Sequence, residues 1–188
     1  MKINDYYSLA QNSLSDYRYH HSKMVAKAAK ELAFKYGEDA YKAEVAGILH
    51  DITKEMTLNN QLQLLKDNDI ILDSVTNSNE QILHAVSGAA YIEFILGIDD
   101  SDIINAVRYH TTARAQMSLL EKIVFVADFI SEDRTYPDIY EMRKQSDISL
   151  EHSMKYALSY VIRSLVECGR CVHPDAINAY NEIIMKGI

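Results

Sequence analysis

Apolar side chains recur every three or four residues through nearly the whole chain, and the α-helix is the element with that period. Two prolines and six glycines, with no tryptophan, are spread over 188 residues, too little punctuation for a turn-rich all-β fold. The stripes are specific. In 14–36, Leu14, Tyr17, His21, Val25, Ala28 and Leu32 share one face, and Gly37 supplies a stop. Asp39 can cap a second helix ending around His50-Asp51, and Thr57 a short one through Leu58, Leu62 and Leu65. A polar stretch, Asp73 to Asn79, precedes a helix that runs through His84 to Leu96 and closes at Gly97.

Asp100 or Ser101 starts the next helix, with Ile103, Ile104 and Val107 inward and His110 in its last turn. Ser118-Leu119-Leu120-Glu121 has the form of a capping box ahead of the apolar run Ile123 to Ile130. Beyond a charged loop, Ser131 to Asp138, two more helices are expected near 147–168 and 174–186, the second with Pro174 near its start. The expected fold is all-α, a compact multi-helix bundle forming one domain over 1–188. The last two helices, within 147–186, have surface enough to cover the core or to close a homodimer.

Composition excludes several partners. A net charge of −8 leaves no basic stripe to displace counterions from a nucleic-acid backbone. Small phosphorylated substrates stay compatible, because a few local cations or metals can reverse the sign inside a pocket. No apolar run reaches the 18 or more residues of a membrane span, and the first residues lack the basic and apolar blocks of a signal peptide. Two cysteines make no disulfide framework. A cytoplasmic protein is expected.

The chemistry starts at His50-Asp51, an imidazole beside a carboxylate at the end of the apolar segment Val45 to Leu49. A carboxylate has two oxygens and can bridge two ions. A histidine alone on an apolar face usually just packs. Asp128 is harder to dismiss: it interrupts the apolar run Ile123 to Ile130, and an unpaired buried carboxylate is costly. His21, His84 and His110 complete a set of four imidazoles and two carboxylates without a thiolate. Mixed nitrogen and oxygen donors suit iron, manganese, cobalt or catalytic zinc better than a closed structural zinc site. The count suits two metals, with Asp51 as bridge.

The ordered stretches Arg18-Tyr19-His20-His21-Ser22, Leu49 to Lys54, His84 to Ala89, Tyr109-His110-Thr111-Thr112 and Met117 through Ala127-Asp128 to Arg134 and Tyr136-Pro137 carry a resemblance. Together they resemble the HD-domain superfamily of metal-dependent phosphohydrolases, and within it the YqeK-type symmetrical bis(5'-nucleosyl)-tetraphosphatases. Two positions depart from that pattern. Ala113 stands where the family usually has glycine, and Ser131-Glu132 where it usually has Glu-Pro.

The resemblance implies an HD-domain bundle with a dinuclear centre: His21, His50, Asp51 and Asp128 for one divalent ion, Asp51, His84 and His110 for the other. Iron is the first expectation for both ions, with manganese or cobalt able to use the same ligands. It implies hydrolysis of diadenosine tetraphosphate at its centre to two ADP by a metal-activated water. Lys54 and Arg18, each three residues from a ligand, and Arg134 are expected to neutralise the polyphosphate, with Lys54 also assisting catalysis. Thr111 and Thr112 are hydroxyl donors to phosphate or helix caps, and Arg108, Arg114 and Arg143 are weaker cation candidates. Tyr109 or Tyr136 is suited to stack on adenine.

The remaining groups have plainer readings. His20 is rotated off the His21 face, His152 lies among polar neighbours, and His173 reads as a helix-start residue. Cys168-Gly169-Arg170-Cys171 has redox spacing without the strand-to-helix setting that gives it meaning. Three alternatives stay open at the level of sequence. One is another HD-type hydrolase, acting on an alarmone, a deoxynucleotide or a cyclic nucleotide. The others are a non-catalytic nucleotide-binding protein and a bundle whose histidines only pack.

Overall fold

The computed structural model describes residues 1–188 and contains helices and turns but no strand. Eleven α-helices follow one another: α1 Ile3–Ser13, α2 Asp16–Tyr36, α3 Ala40–Leu49, α4 Leu58–Asp67, α5 Ser74–Asn77, α6 Glu80–Ala90, α7 Ser101–Arg108, α8 Leu119–Ile130, α9 Ile139–Ile148, α10 Leu150–Glu167 and α11 Pro174–Met185. A π-helical stretch, Tyr91–Ile95, continues α6 to the stop at Gly97. Their starts are written in side chains. The oxygens of Ser15, Asp39, Thr57, Asp100 and Ser118 accept from first-turn N–H groups of α2, α3, α4, α7 and α8. Asp100, rather than Ser101, is the cap of α7. Gly37 ends α2 at φ 77, the left-handed conformation that favours glycine.

Three helices escape the sequence reading. α1 buries only Tyr6 and Ala10, α5 is one turn inside the polar stretch, and α9 turns Ile139, Met142 and Ser146 inward from an otherwise polar run. The helix expected near 147–168 is α10, starting a few residues later because α9 ends at Ile148 and Ser149, extended at φ −166, caps α10. His110 is also displaced, since α7 ends at Arg108 and His110 lies in the turn beyond.

One core of 35 buried residues draws on most helices, with Val25, Ile48, Leu49, Val107, Ile123, Phe125 and Met154 among them. α2 packs along α3 and α8, which brings the helices bearing His21 and Asp128 side by side. α10 lies across α8 and α9, and α11 across α10, so the last two helices contribute Met154, Ala157, Leu158, Ala176, Ala179 and Ile183 to the core. A satellite cluster of Leu65, Leu83, Val86 and Ala90 joins α4 to α6.

The α2–α3 approach depends on Gly47. A Cβ at that position would stand 2.7 Å from Ala26 Cα and 3.0 Å from its nitrogen, so backbone and not a flexible side chain would have to move. Gly47→Ala is therefore expected to destabilise by about 2 kcal/mol, as overpacking of a closed helix interface does, measured by chemical denaturation. A variant as stable as the parent would show that the interface accepts a methyl group.

Candidate metal centre

The six residues that the sequence singles out as metal ligands converge. His21 comes from the second turn of α2, His50 and Asp51 from the turn that leaves α3, His84 from α6, His110 from the turn after α7, and Asp128 from α8. Within each of the triads His21/His50/Asp51, His50/His110/Asp128 and Asp51/His84/His110, the donor atoms lie within 4.8 Å of one another. Asp51 is central. Its Oδ1 stands 3.0 Å from His84 Nε2 and 3.7 Å from His110 Nε2, while its Oδ2 stands 3.5 Å from His50 Nε2. On the other flank His21 Nε2 is 3.0 Å from Asp128 Oδ1, and His50 Nε2 is 4.0 Å from the same oxygen. The four imidazoles run edge to face, with centroids 5.2, 4.9 and 5.1 Å apart from His21 through His50 and His110 to His84.

Local backbone sets the orientation of the rings. His50 Nδ1 donates to Gly47 O at 2.8 Å and His110 Nδ1 to Val107 O at 2.7 Å, each three residues back at the end of its own helix. Both bonds put the proton on Nδ1 and leave Nε2 as a lone pair facing the cluster. The turn carrying Asp51 and Lys54 is fastened to α6 by Thr53, whose hydroxyl donates to His84 O at 2.9 Å and meets Ser87 Oγ, itself bonded to Gln61. Glu55 accepts from both the N–H and the hydroxyl of Ser15, which ties this turn to the start of α2 and so to Arg18 and His21.

The donors fit divalent cations. His50 Nε2 is buried without a hydrogen-bond partner, aimed among carboxylate oxygens and imidazoles. His84 Nε2 and His110 Nε2 face each other at 3.2 Å, a contact that two protonated nitrogens could not share. Burial pushes the His50 imidazole down to about 3 and that of His84 down to about 4, which keeps both neutral and able to ligate near neutral pH. For Asp51, burial acts upward, but His50, His110 and His84 outweigh it and hold the carboxyl well below the usual range. The same balance, with Arg134 and His21 as the main pulls, keeps Asp128 ionised. Asp128 is not sealed inside as its apolar setting suggests: its side chain is 17% exposed and faces the mouth of the cluster.

Three cations ring that mouth. Arg18 Nη1 is 3.3 Å from Asp51 Oδ2, Lys54 Nζ is 3.1 Å from the His84 ring nitrogens and 3.9 Å from Asp51 Oδ1, and Arg134 contacts both Asp128 and His21. Burial pushes the Lys54 ammonium below its ordinary value, against the pull of Asp51. Thr111 Oγ1 is buried without a partner beside His110, whereas Thr112 spends its hydroxyl on Ala113 O. Among the weaker arginines, Arg114 and Arg143 are occupied otherwise. Arg114 makes a bidentate pair with buried Glu121 and Arg143 donates to the carbonyls of Ile130 and Ser131, whereas Arg108 lies over the Tyr109 ring with its Nη1 buried and unpartnered. Tyr136 stacks on Tyr160 and bonds Phe129 O.

The two departures have local explanations. Ala113 sits at φ 55, in the left-handed region where glycine costs least, and its methyl group is fully buried in the core. Ser131 is buried under Arg143, and exposed Glu132 pairs with Lys27 at 2.9 Å. One residue at the site escaped the sequence reading. Asp133 Oδ2 lies 2.7 Å from His21 Nδ1. It is separated from His21 by 112 positions in a charged loop, so no spacing signals it.

An all-helical bundle that gathers four histidines and two aspartates from five helical units defines a class, the His-Asp hydrolases. The chain belongs to the HD domain family, whose model matches residues 18–133. It is 34% identical over 178 residues to the symmetrical bis(5'-nucleosyl)-tetraphosphatase of Halalkalibacterium halodurans, covering 95% of each chain. The enzyme of that name from Staphylococcus aureus is 38% identical over 186 residues, with 96% of this chain and 95% of the relative covered. A crystal structure from Clostridium acetobutylicum, described as a predicted HD superfamily hydrolase involved in NAD metabolism, superimposes with a TM-score of 0.95 at 32% identity, over 99% of this chain and 98% of that one. The all-α HD-domain architecture expected from the sequence is thereby borne out.

Proposed function

We propose that this protein is a symmetrical bis(5'-nucleosyl)-tetraphosphatase, hydrolysing the central anhydride of diadenosine tetraphosphate to two ADP with two divalent metal ions. The observation that carries the reading is the convergence of six candidate nitrogen and oxygen ligands under a ring of three cations, in a chain similar over nearly its full length to enzymes of that name. His21, His50, Asp51 and Asp128 would hold one ion and Asp51, His84 and His110 the other, iron before manganese or cobalt. Bound there, such ions supply positive charge to phosphoryl oxygens and acidify water near neutral pH.

The chain's own residues do the rest. Arg18 beside Asp51 and Arg134 beside Asp128 and His21 would neutralise non-bridging oxygens of the polyphosphate. Lys54 lies on the His84 side, where its ammonium offsets charge on the departing nucleoside diphosphate. Thr111 contributes one neutral hydroxyl donor. In the balanced reaction an oxygen of water forms a bond to the β-phosphorus, the bond from that phosphorus to the central bridging oxygen breaks, and the water protons pass to the two products or to solvent. No helix is long and apolar enough to cross a membrane, and the two exposed, free cysteines suit the reducing cytoplasm.

The test is incubation of the purified protein, loaded with ferrous or manganous ion, with diadenosine tetraphosphate, and chromatography of the products. ADP as sole product is expected. AMP with ATP would overturn symmetrical cleavage, and turnover confined to an alarmone, a deoxynucleotide or a cyclic nucleotide would reassign the substrate. Lys54→Ala is expected to keep its metal content and to lose roughly 10²-fold in kcat/KM. Unchanged kinetics would remove Lys54 from the site.

A further inference from the structure

The histidines of the cluster are not held alike. His50 and His110 are each oriented by the main-chain carbonyl three residues before them, so their own helix ends fix them. His21 lies within α2, in its second turn, where the carbonyls before it are used by the helix, and its Nδ1 instead meets a carboxylate from another element: Asp133 Oδ2 at 2.7 Å. Asp133 belongs to the loop between α8 and α9, and its side chain is only 14% exposed. That loop is braced by further hydrogen bonds, one of them from Arg134 at the mouth of the cluster. Arg143 of α9 donates to Ile130 O at 3.1 Å and Ser131 O at 2.8 Å, Arg134 Nε donates to Asp128 O at 2.8 Å, and the Tyr136 hydroxyl donates to Phe129 O at 2.8 Å.

We propose that Asp133 is a positioning residue for metal binding: it fixes the proton of His21 on Nδ1, aims Nε2 at the cluster, and thereby sets the affinity of the metal position built on His21. A carboxylate behind a ligating imidazole orients the ring and raises its basicity, and removing such a partner typically lowers metal affinity 10- to 100-fold. The two ends of the cluster then differ in kind. His50 and His110 rest on their own helix ends, His84 meets the Lys54 ammonium, and His21 rests on a loop carboxylate. The inference rests on the two-metal reading above.

The experiment compares the full chain with Asp133→Ala, Asp133→Asn and, in the same loop, Glu132→Ala. Each is loaded with cobalt or manganese, metal per chain is counted by mass spectrometry after gel filtration, and affinities are taken by competition with a chromophoric chelator. The parent and Glu132→Ala should hold two ions. Asp133→Ala should retain one and bind the other about 10- to 100-fold more weakly. Asp133→Asn, which is isosteric and can still accept from Nδ1–H without the charge, should fall between them and keeps the test decisive if the alanine variant folds poorly. The visible spectrum of cobalt should change for one ion only. Parental affinity for both ions in Asp133→Ala would overturn the proposal, and so would equal losses in Asp133→Asn and Glu132→Ala, which would indicate a disturbed loop. A parent that saturates below two ions would defeat the two-metal reading itself, a result distinguishable from both.

Discussion

Asp51→Ala is expected to abolish metal loading and hydrolysis together, with turnover falling on the order of 10³-fold or more. The reason is geometric. Oδ1 lies within 3.0 to 3.7 Å of His84 and His110, and Oδ2 stands 3.5 Å from His50, so one carboxylate serves both halves of the cluster. Without it, four imidazoles face one another with Asp128 as the one carboxylate left among the six proposed ligands, and Arg18 and Lys54 lose their anion as well. Metal content by mass spectrometry and turnover of diadenosine tetraphosphate check the prediction in one preparation. Two ions retained in the variant would defeat the bridging assignment even if turnover were lost. Asp51→Asn, which keeps the shape and one oxygen, should fail almost as completely, because the missing quantity is charge.

Arg114→Met should destabilise the fold by about 3 kcal/mol without touching the cluster. Glu121 is 1% exposed and takes two bonds of 2.7 Å from the Arg114 guanidinium, while also closing the capping box of α8 through Ser118. Removing the arginine leaves a carboxylate in the core with the Ser118 N–H as its remaining partner. For a chain of this length the loss corresponds to a fall of roughly 6 to 12 °C in Tm. The double variant Arg114→Met/Glu121→Leu should recover part of it, since two apolar side chains leave no buried charge. Calorimetry on the metal-free protein separates this effect from metal binding. A melting point unchanged in the single variant would mean that Glu121 finds water or another donor.

The sequence carried the ligand set further than it carried the fold around it. Histidines and aspartates in apolar stripes stand out because burying them is costly, and all six converge. Strong stripes likewise marked α2, α3, α8 and α11. What stayed hidden depended on long-range geometry. α9 is polar along most of its length, and only packing against α8 and α10 makes it a helix worth forming. Arg114 and Arg143 look like phosphate ligands until Glu121 and the carbonyls of Ile130 and Ser131 are seen to occupy them. Asp133 was illegible for the converse reason: nothing within ten residues of it hints that its partner lies at the start of the chain.

α3 stops at Leu49 and α7 at Arg108, each delivering its histidine in the turn just beyond, and Asp128 stands two residues before the end of α8. The C-terminal ends of α3 and α7 therefore both lie beside the cluster, where His50 and His110 bond back to Gly47 O and Val107 O. Aligned peptide dipoles make each such end partly negative, worth about 0.3 to 1 kcal/mol to a nearby cation and unfavourable by a similar amount to an anion. The scaffold thus has a polarity of its own: the helix ends favour positive charge within the cluster, while Arg18, Lys54 and Arg134 present positive charge at its mouth.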